Sequence, residues 1–118
     1  MKNSSAAPIL CDLDGVVWLS HEPIAGSVEA IAALRESGHR VLFVTNNSFA
    51  KVADQEKTLE SIGVSAKGDV LTSSGAAATL LKAGQRVLVA GGPGVVEAVE
   101  SVGAIVAGRT DDGSSQEA

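Results

Sequence analysis

Short apolar runs rich in β-branched residues recur along the chain: Ile9-Leu10-Cys11, Val41-Leu42-Phe43-Val44, Val87-Leu88-Val89 and Ala104-Ile105-Val106. Runs of this length bounded by turn residues predict buried strands. Between them the apolar positions switch to helical spacing. Val28, Ile31 and Leu34 share one face, as do Val52, Leu59 and Ile62, then Ala77, Leu80 and Leu81, then Val95, Val99 and Val102. Gly38, Gly63, Gly84 and Gly103 follow these patterns, where a left-handed C-cap residue costs least. Ser27 and Ser74 are candidate N-caps for the first and third helices.

Strand and helix therefore alternate, and a chain of βα units predicts a parallel sheet covered by helices on both faces. The expected fold is a Rossmann-like three-layer αβα domain over residues 1–107. Residues 108–118 carry no periodicity and are small and polar, and are expected to form a tail or the start of a linker.

Composition refines this picture in three places. A hydrophobic fraction of 45% with only 3% aromatic residues means that Val, Ile, Leu and Ala build the core. A net charge of -5 with no Lys/Arg cluster argues against a nucleic-acid partner. Cys11 is the one cysteine, which excludes a disulfide framework or thiolate cage and fits a reducing, cytoplasmic setting. No apolar run reaches membrane-spanning length, and the first eight residues lack a signal-peptide core.

The chemistry centres on Asp12-Leu13-Asp14-Gly15, where two carboxylates two residues apart follow an apolar strand. Period-two geometry sends both side chains to one side. Open parallel sheets bind ligands beyond the carboxyl ends of their strands, where this pair emerges, and Gly15 permits a sharp turn and close ligand approach. An EF-hand calcium loop does not fit, because its fifth position would be Val16 and its bidentate glutamate position Pro23. A solvated acidic turn is the alternative for an isolated motif of this kind. A second strand, Val41 to Val44, runs into Thr45-Asn46-Asn47-Ser48, four consecutive hydroxyl and amide side chains. A turn with a helix N-cap accounts for Ser48 and less well for Thr45 and Asn46.

Asp12-Leu13-Asp14-Gly15-Val16 together with Val44-Thr45-Asn46-Asn47-Ser48 resembles the first two motifs of the haloacid dehalogenase superfamily. Val17-Trp18, Pro23-Ile24-Ala25-Gly26-Ser27 and Gly91-Gly92-Pro93-Gly94 resemble its class IIA, p-nitrophenylphosphatase or NagD-like branch. The resemblance implies a phosphatase of small phosphorylated metabolites that works through an aspartyl phosphate. It makes Asp12 the nucleophile and Asp14 the acid and base, with Mg2+ held by Asp12 and the Asp14 backbone carbonyl. Thr45, Asn46, Asn47 and Gly15 become the phosphate-binding residues.

The resemblance also implies a lysine and a later acidic pair that are not identifiable here. Lys67-Gly68-Asp69-Val70-Leu71-Thr72 offers a Gly-Asp, but no apolar strand precedes it and the second aspartate is absent. The chain is accordingly expected to be the N-terminal part of a longer core, stopping where a cap domain begins. A non-catalytic truncated domain is one alternative function. A Rossmann-type nucleotide binder using Gly92-Pro93-Gly94 is another, weakened by Glu97 at the third glycine position. Cys11 reads as a small apolar residue, His21 and His39 as surface histidines, and Trp18 as part of a flap that touches the leaving group or packs beneath it.

Overall fold

The structure, a computed structural model, describes residues 7–110. These residues divide into two compact units. The first takes the residues up to Thr45 together with Ala53–Leu71, and the second takes Asn46–Val52 together with the residues from Thr72 onward.

In the first unit, β1 (Ile9–Asp12) runs parallel to β4 (Val41–Thr45), with Ile9 opposite Val41 and Asp12 opposite Val44. The third strand of this sheet is β5 (Val70–Thr72), in the order β1-β4-β5. The Phe43 N–H donates to the Asp69 carbonyl where the two strands meet. Between β1 and β4 lie a small antiparallel hairpin, β2 (Trp18–Leu19) with β3 (Glu22–Pro23), and helix α1 (Ser27–Glu36). Phe43, Leu13, Leu59, Val17 and Trp18 are almost completely buried and form the core beneath these elements. Asp69 accepts from Arg40 through two nitrogens, at 3.2 and 2.8 Å, and pairs with Arg35 at 3.7 Å.

In the second unit, β6 (Arg86–Val89) runs parallel to β7 (Ile105–Arg109), and α4 (Pro93–Ser101) connects them. Val89, Val99 and Ala104 form its buried centre. The short helix α3 (Ser73–Ala78) precedes this pair. Helix α2 (Val52–Ser61) starts at the last residue of the second unit's leading segment and continues into the first unit.

The alternating α/β pattern with parallel strands is the one expected, with several local differences. Neither Ser27 nor Ser74 is an N-cap. Ser27 lies inside α1 and its hydroxyl donates to the Val17 and Ile24 carbonyls, while Gly26 holds the cap position. At α3 the cap is Thr72, whose hydroxyl oxygen accepts from the Gly75 N–H at 3.0 Å. This helix ends at Ala78, so Leu80 projects into solvent at 84% exposure and Gly84 belongs to the turn before β6. The strand β7 extends through Gly108 and Arg109, which pair with Leu88 and Val89, so the tail expected from residue 108 begins later. Residues 111–118 of that tail lie outside the described residues. The hairpin and β5 are elements that the run pattern does not pick out.

Candidate active site

The segment that follows β1 is built by one turn. The Leu13 carbonyl accepts from the N–H groups of Val16, Val17 and Trp18, and the Gly15 N–H donates to the Trp18 carbonyl at 2.8 Å. This closure requires Gly15 at φ 87°, a left-handed conformation that side chains disfavour. It also sets the alternation: Leu13 is buried, while Asp12 and Asp14 on either side of it are exposed.

The turn brings Trp18 back onto Asp14. Its indole Nε1–H donates to Asp14 Oδ1 at 3.1 Å, although the Trp18 side chain is itself buried. At the end of β4, the buried Thr45 hydroxyl donates to the other oxygen, Oδ2, at 3.4 Å. Both carboxylate oxygens of Asp14 thus have a donor fixed in the core, which confines the side chain to one orientation. Asp12 Oδ1 accepts from the Leu13 N–H at 2.9 Å. Cys11, beside it, has its thiol pushed up by burial and then by the Asp12 charge, so it is a protonated neighbour rather than a nucleophile.

Asn46 and Asn47 come next in the chain after Thr45 and open the second unit. Both are exposed. The Asn46 carbonyl accepts from the Ser73 hydroxyl at 3.3 Å, and Asn47 Oδ1 accepts from the Phe49 N–H at 3.1 Å. Ser48 stands four residues ahead of Val52, the first residue of α2, so it does not cap that helix. The Val52 N–H instead donates to Glu97 Oε1 at 3.1 Å.

Asp12 and Asp14 are hard oxygen donors open to solvent, a chemistry that suits Mg2+. Among the described residues no three His, Cys, Asp or Glu side chains gather into a metal cage. The pair therefore fits part of a six-oxygen shell and leaves the rest to carbonyl, water or phosphate oxygens. Asp69 takes no part, being held by Arg35 and Arg40. Gly92-Pro93-Gly94 is not an open phosphate cradle either. A Cβ at Gly92 would overlap the Phe49 ring, and one at Gly94 would overlap the Ser48 and Ala50 carbonyls.

An α/β chain with two exposed carboxylates at the end of its first strand, one held by core donors, offers a candidate oxygen-donor site. The chain belongs to the haloacid dehalogenase-like hydrolase family, whose model matches residues 9–105. It is 33% identical over 119 residues to phosphoglycolate phosphatase 2 of Arabidopsis thaliana, covering 95% of this chain and 40% of that protein. A glycerol phosphate phosphatase from Mycobacterium tuberculosis, solved in complex with magnesium, superposes with a TM-score of 0.73 at 34% identity. That match covers 84% of this chain and 31% of the other. The p-nitrophenyl phosphatase from Archaeoglobus fulgidus gives a TM-score of 0.74 at 29% identity, over 84% of this chain and 39% of that one. These relatives place the chain in the p-nitrophenylphosphatase and NagD-like branch. The chain thus spans well under half the length of each of the three.

Proposed function

We propose that this chain carries the nucleophile and acid/base of a Mg2+-dependent phosphomonoester hydrolase of small phosphorylated metabolites. The observation that carries the proposal is the clamped Asp14, held by Trp18 and Thr45 two residues after an exposed Asp12. A solvated acidic turn has no use for a buried indole N–H and a buried hydroxyl directed at one carboxylate. An acid/base that must present a proton in a fixed direction does.

In the proposed cycle an Asp12 carboxylate oxygen attacks phosphorus, the P–O bond to the leaving group breaks, and Asp14 gives its proton to the departing oxygen. Asp14 then takes a proton from water, whose oxygen attacks the aspartyl phosphate. Phosphate leaves and the Asp12 carboxylate is restored. Thr45, Asn46, Asn47 and the Gly15 backbone donate to the phosphoryl oxygens as charge builds on them. Mg2+, held by Asp12 and the Asp14 carbonyl, would supply charge neutralisation for an anion attacking an anion. The relatives named phosphoglycolate and glycerol phosphate phosphatases support a small phosphorylated substrate.

Trp18 is the one tryptophan of the sequence, so its emission reports on Asp14 directly. Titrating beryllofluoride in the presence of Mg2+ is expected to shift that emission in a saturable way. Asp12→Asn should abolish the shift. A shift of the same size in Asp12→Asn, or none in the wild-type chain, would remove the basis for a phosphoaspartate.

A further inference from the structure

We infer that Glu97, with Gly94, is a positioning residue for the Asn46–Asn47 loop, which makes the first turns of α4 part of the phosphate-binding apparatus. The inference rests on the proposed phosphatase function, because it gives the loop something to bind.

All of the contacts lie within the second unit. Residues 46–51 form an irregular segment between β4 and the first turn of α2. Such a segment must find partners for its backbone groups outside regular structure. Two of them come from α4. The Phe49 carbonyl accepts from the Gly94 N–H at 2.7 Å, and the Val52 N–H donates to Glu97 Oε1 at 3.1 Å. The first orphan N–H of α2 is thus satisfied by a carboxylate 45 residues away in sequence. An ionised acceptor at a helix N-terminus binds more strongly than a neutral one.

The glycines complete the arrangement. Gly94 lets α4 approach the Ser48 and Ala50 carbonyls so closely that no side chain fits between them. Gly92 lies beneath the Phe49 ring, which is itself 68% exposed. The Gly-Pro-Gly sequence therefore serves backbone packing against the loop, and Glu97 fastens the loop's far end. Asn47 joins this arrangement at its near end, its Oδ1 accepting from the N–H of Phe49, whose carbonyl accepts from Gly94.

The test uses the 118-residue chain labelled with 15N, read by amide hydrogen exchange and by shifts on titrating inorganic phosphate in Mg2+. Glu97→Ala is expected to accelerate Val52 exchange about fivefold, the effect of losing one capping bond. Phosphate affinity should fall by a similar factor, while the midpoint of thermal unfolding drops by no more than several degrees. Glu97→Gln keeps an acceptor oxygen and should restore most of both. Glu100→Gln, on the exposed side of the same helix, should change neither. Gly94→Ala provides a second route: its Cβ has no room against the Ser48 and Ala50 carbonyls, so it should perturb the Phe49 and Asn47 amide signals. Unchanged Val52 exchange and unchanged phosphate affinity in Glu97→Ala would overturn the positioning role and leave the phosphatase proposal intact. A wild-type chain whose Asn46 and Asn47 signals ignore phosphate would overturn the phosphatase proposal, and the positioning role with it, before any substitution is made.

Discussion

At the scale of single residues, Trp18 has two roles whose energies differ. Its ring is buried in the core of the first unit, and its N–H holds an exposed carboxylate. Trp18→Phe removes the N–H, which water can replace at Asp14, together with part of the buried ring, so urea unfolding should show a loss of about 1–3 kcal/mol. Trp18→Ala also empties the ring's volume and should cost about 3–5 kcal/mol. In both variants lost burial dominates the stability change, whereas the hydrogen bond matters for where Asp14 points. Thr45→Val, nearly isosteric, should change the free energy of unfolding by about 1 kcal/mol, the typical net contribution of a hydroxyl hydrogen bond. It should nevertheless weaken the beryllofluoride response, and Thr45→Ser should recover it. The roles proposed for Asp12 and Asp14 come from the family resemblance, while their emergence together at the end of a strand can be read in the sequence from alternation and the glycine. The indole donor cannot, because its approach depends on a four-residue turn whose closure only the backbone hydrogen bonds reveal.

At the scale of elements, three helices stop in the same way. After α1, α2 and α4 the N–H groups of Gly38, Gly63 and Gly103 return to the Arg35, Glu60 and Glu100 carbonyls. The following residues, His39, Val64 and Ala104, return to Leu34, Leu59 and Val99. This paired motif places each glycine at positive φ, and the prediction from the sequence succeeds because glycine alone enters that region cheaply. Gly38→Ala should therefore cost about 1 kcal/mol in chemical denaturation, and Gly103→Ala more, since its Cβ would also press on Ala83. The same reading fails at Gly84 because α3 has already ended, leaving Leu80 exposed. It misses β5 because three residues are too few to establish alternation. Besides its pairing with β4, β5 is preceded by the ion pairs of Asp69 with Arg35 and Arg40. Asp69→Asn should lower stability by about 1 kcal/mol at low salt and less at high salt, because Arg40 is largely exposed and screened.

At the scale of the whole molecule, the sequence points to an α/β family member through two motifs about thirty residues apart, each at a strand's carboxyl end. It conceals two contacts beside those motifs: the Trp18 indole N–H on Asp14, although Trp18 itself lies in a family-like segment, and the Glu97 carboxylate on the Val52 N–H that follows the second motif. Net charge then makes a prediction that the local geometry does not. The chain carries -5, and a phosphate dianion approaching it meets repulsion before it meets any donor. Raising monovalent salt from about 10 to about 150 mM shortens the screening length from about 30 to about 8 Å. That change weakens the long-range repulsion more than the contacts inside the site, which act over a few ångströms. Stopped-flow measurements at saturating Mg2+, following Trp18, should therefore show phosphate association speeding up with salt while dissociation changes little. Association that slowed instead would mean that a local positive field, from the bound cation and neighbouring N–H groups, outweighs the acidic surface during the approach.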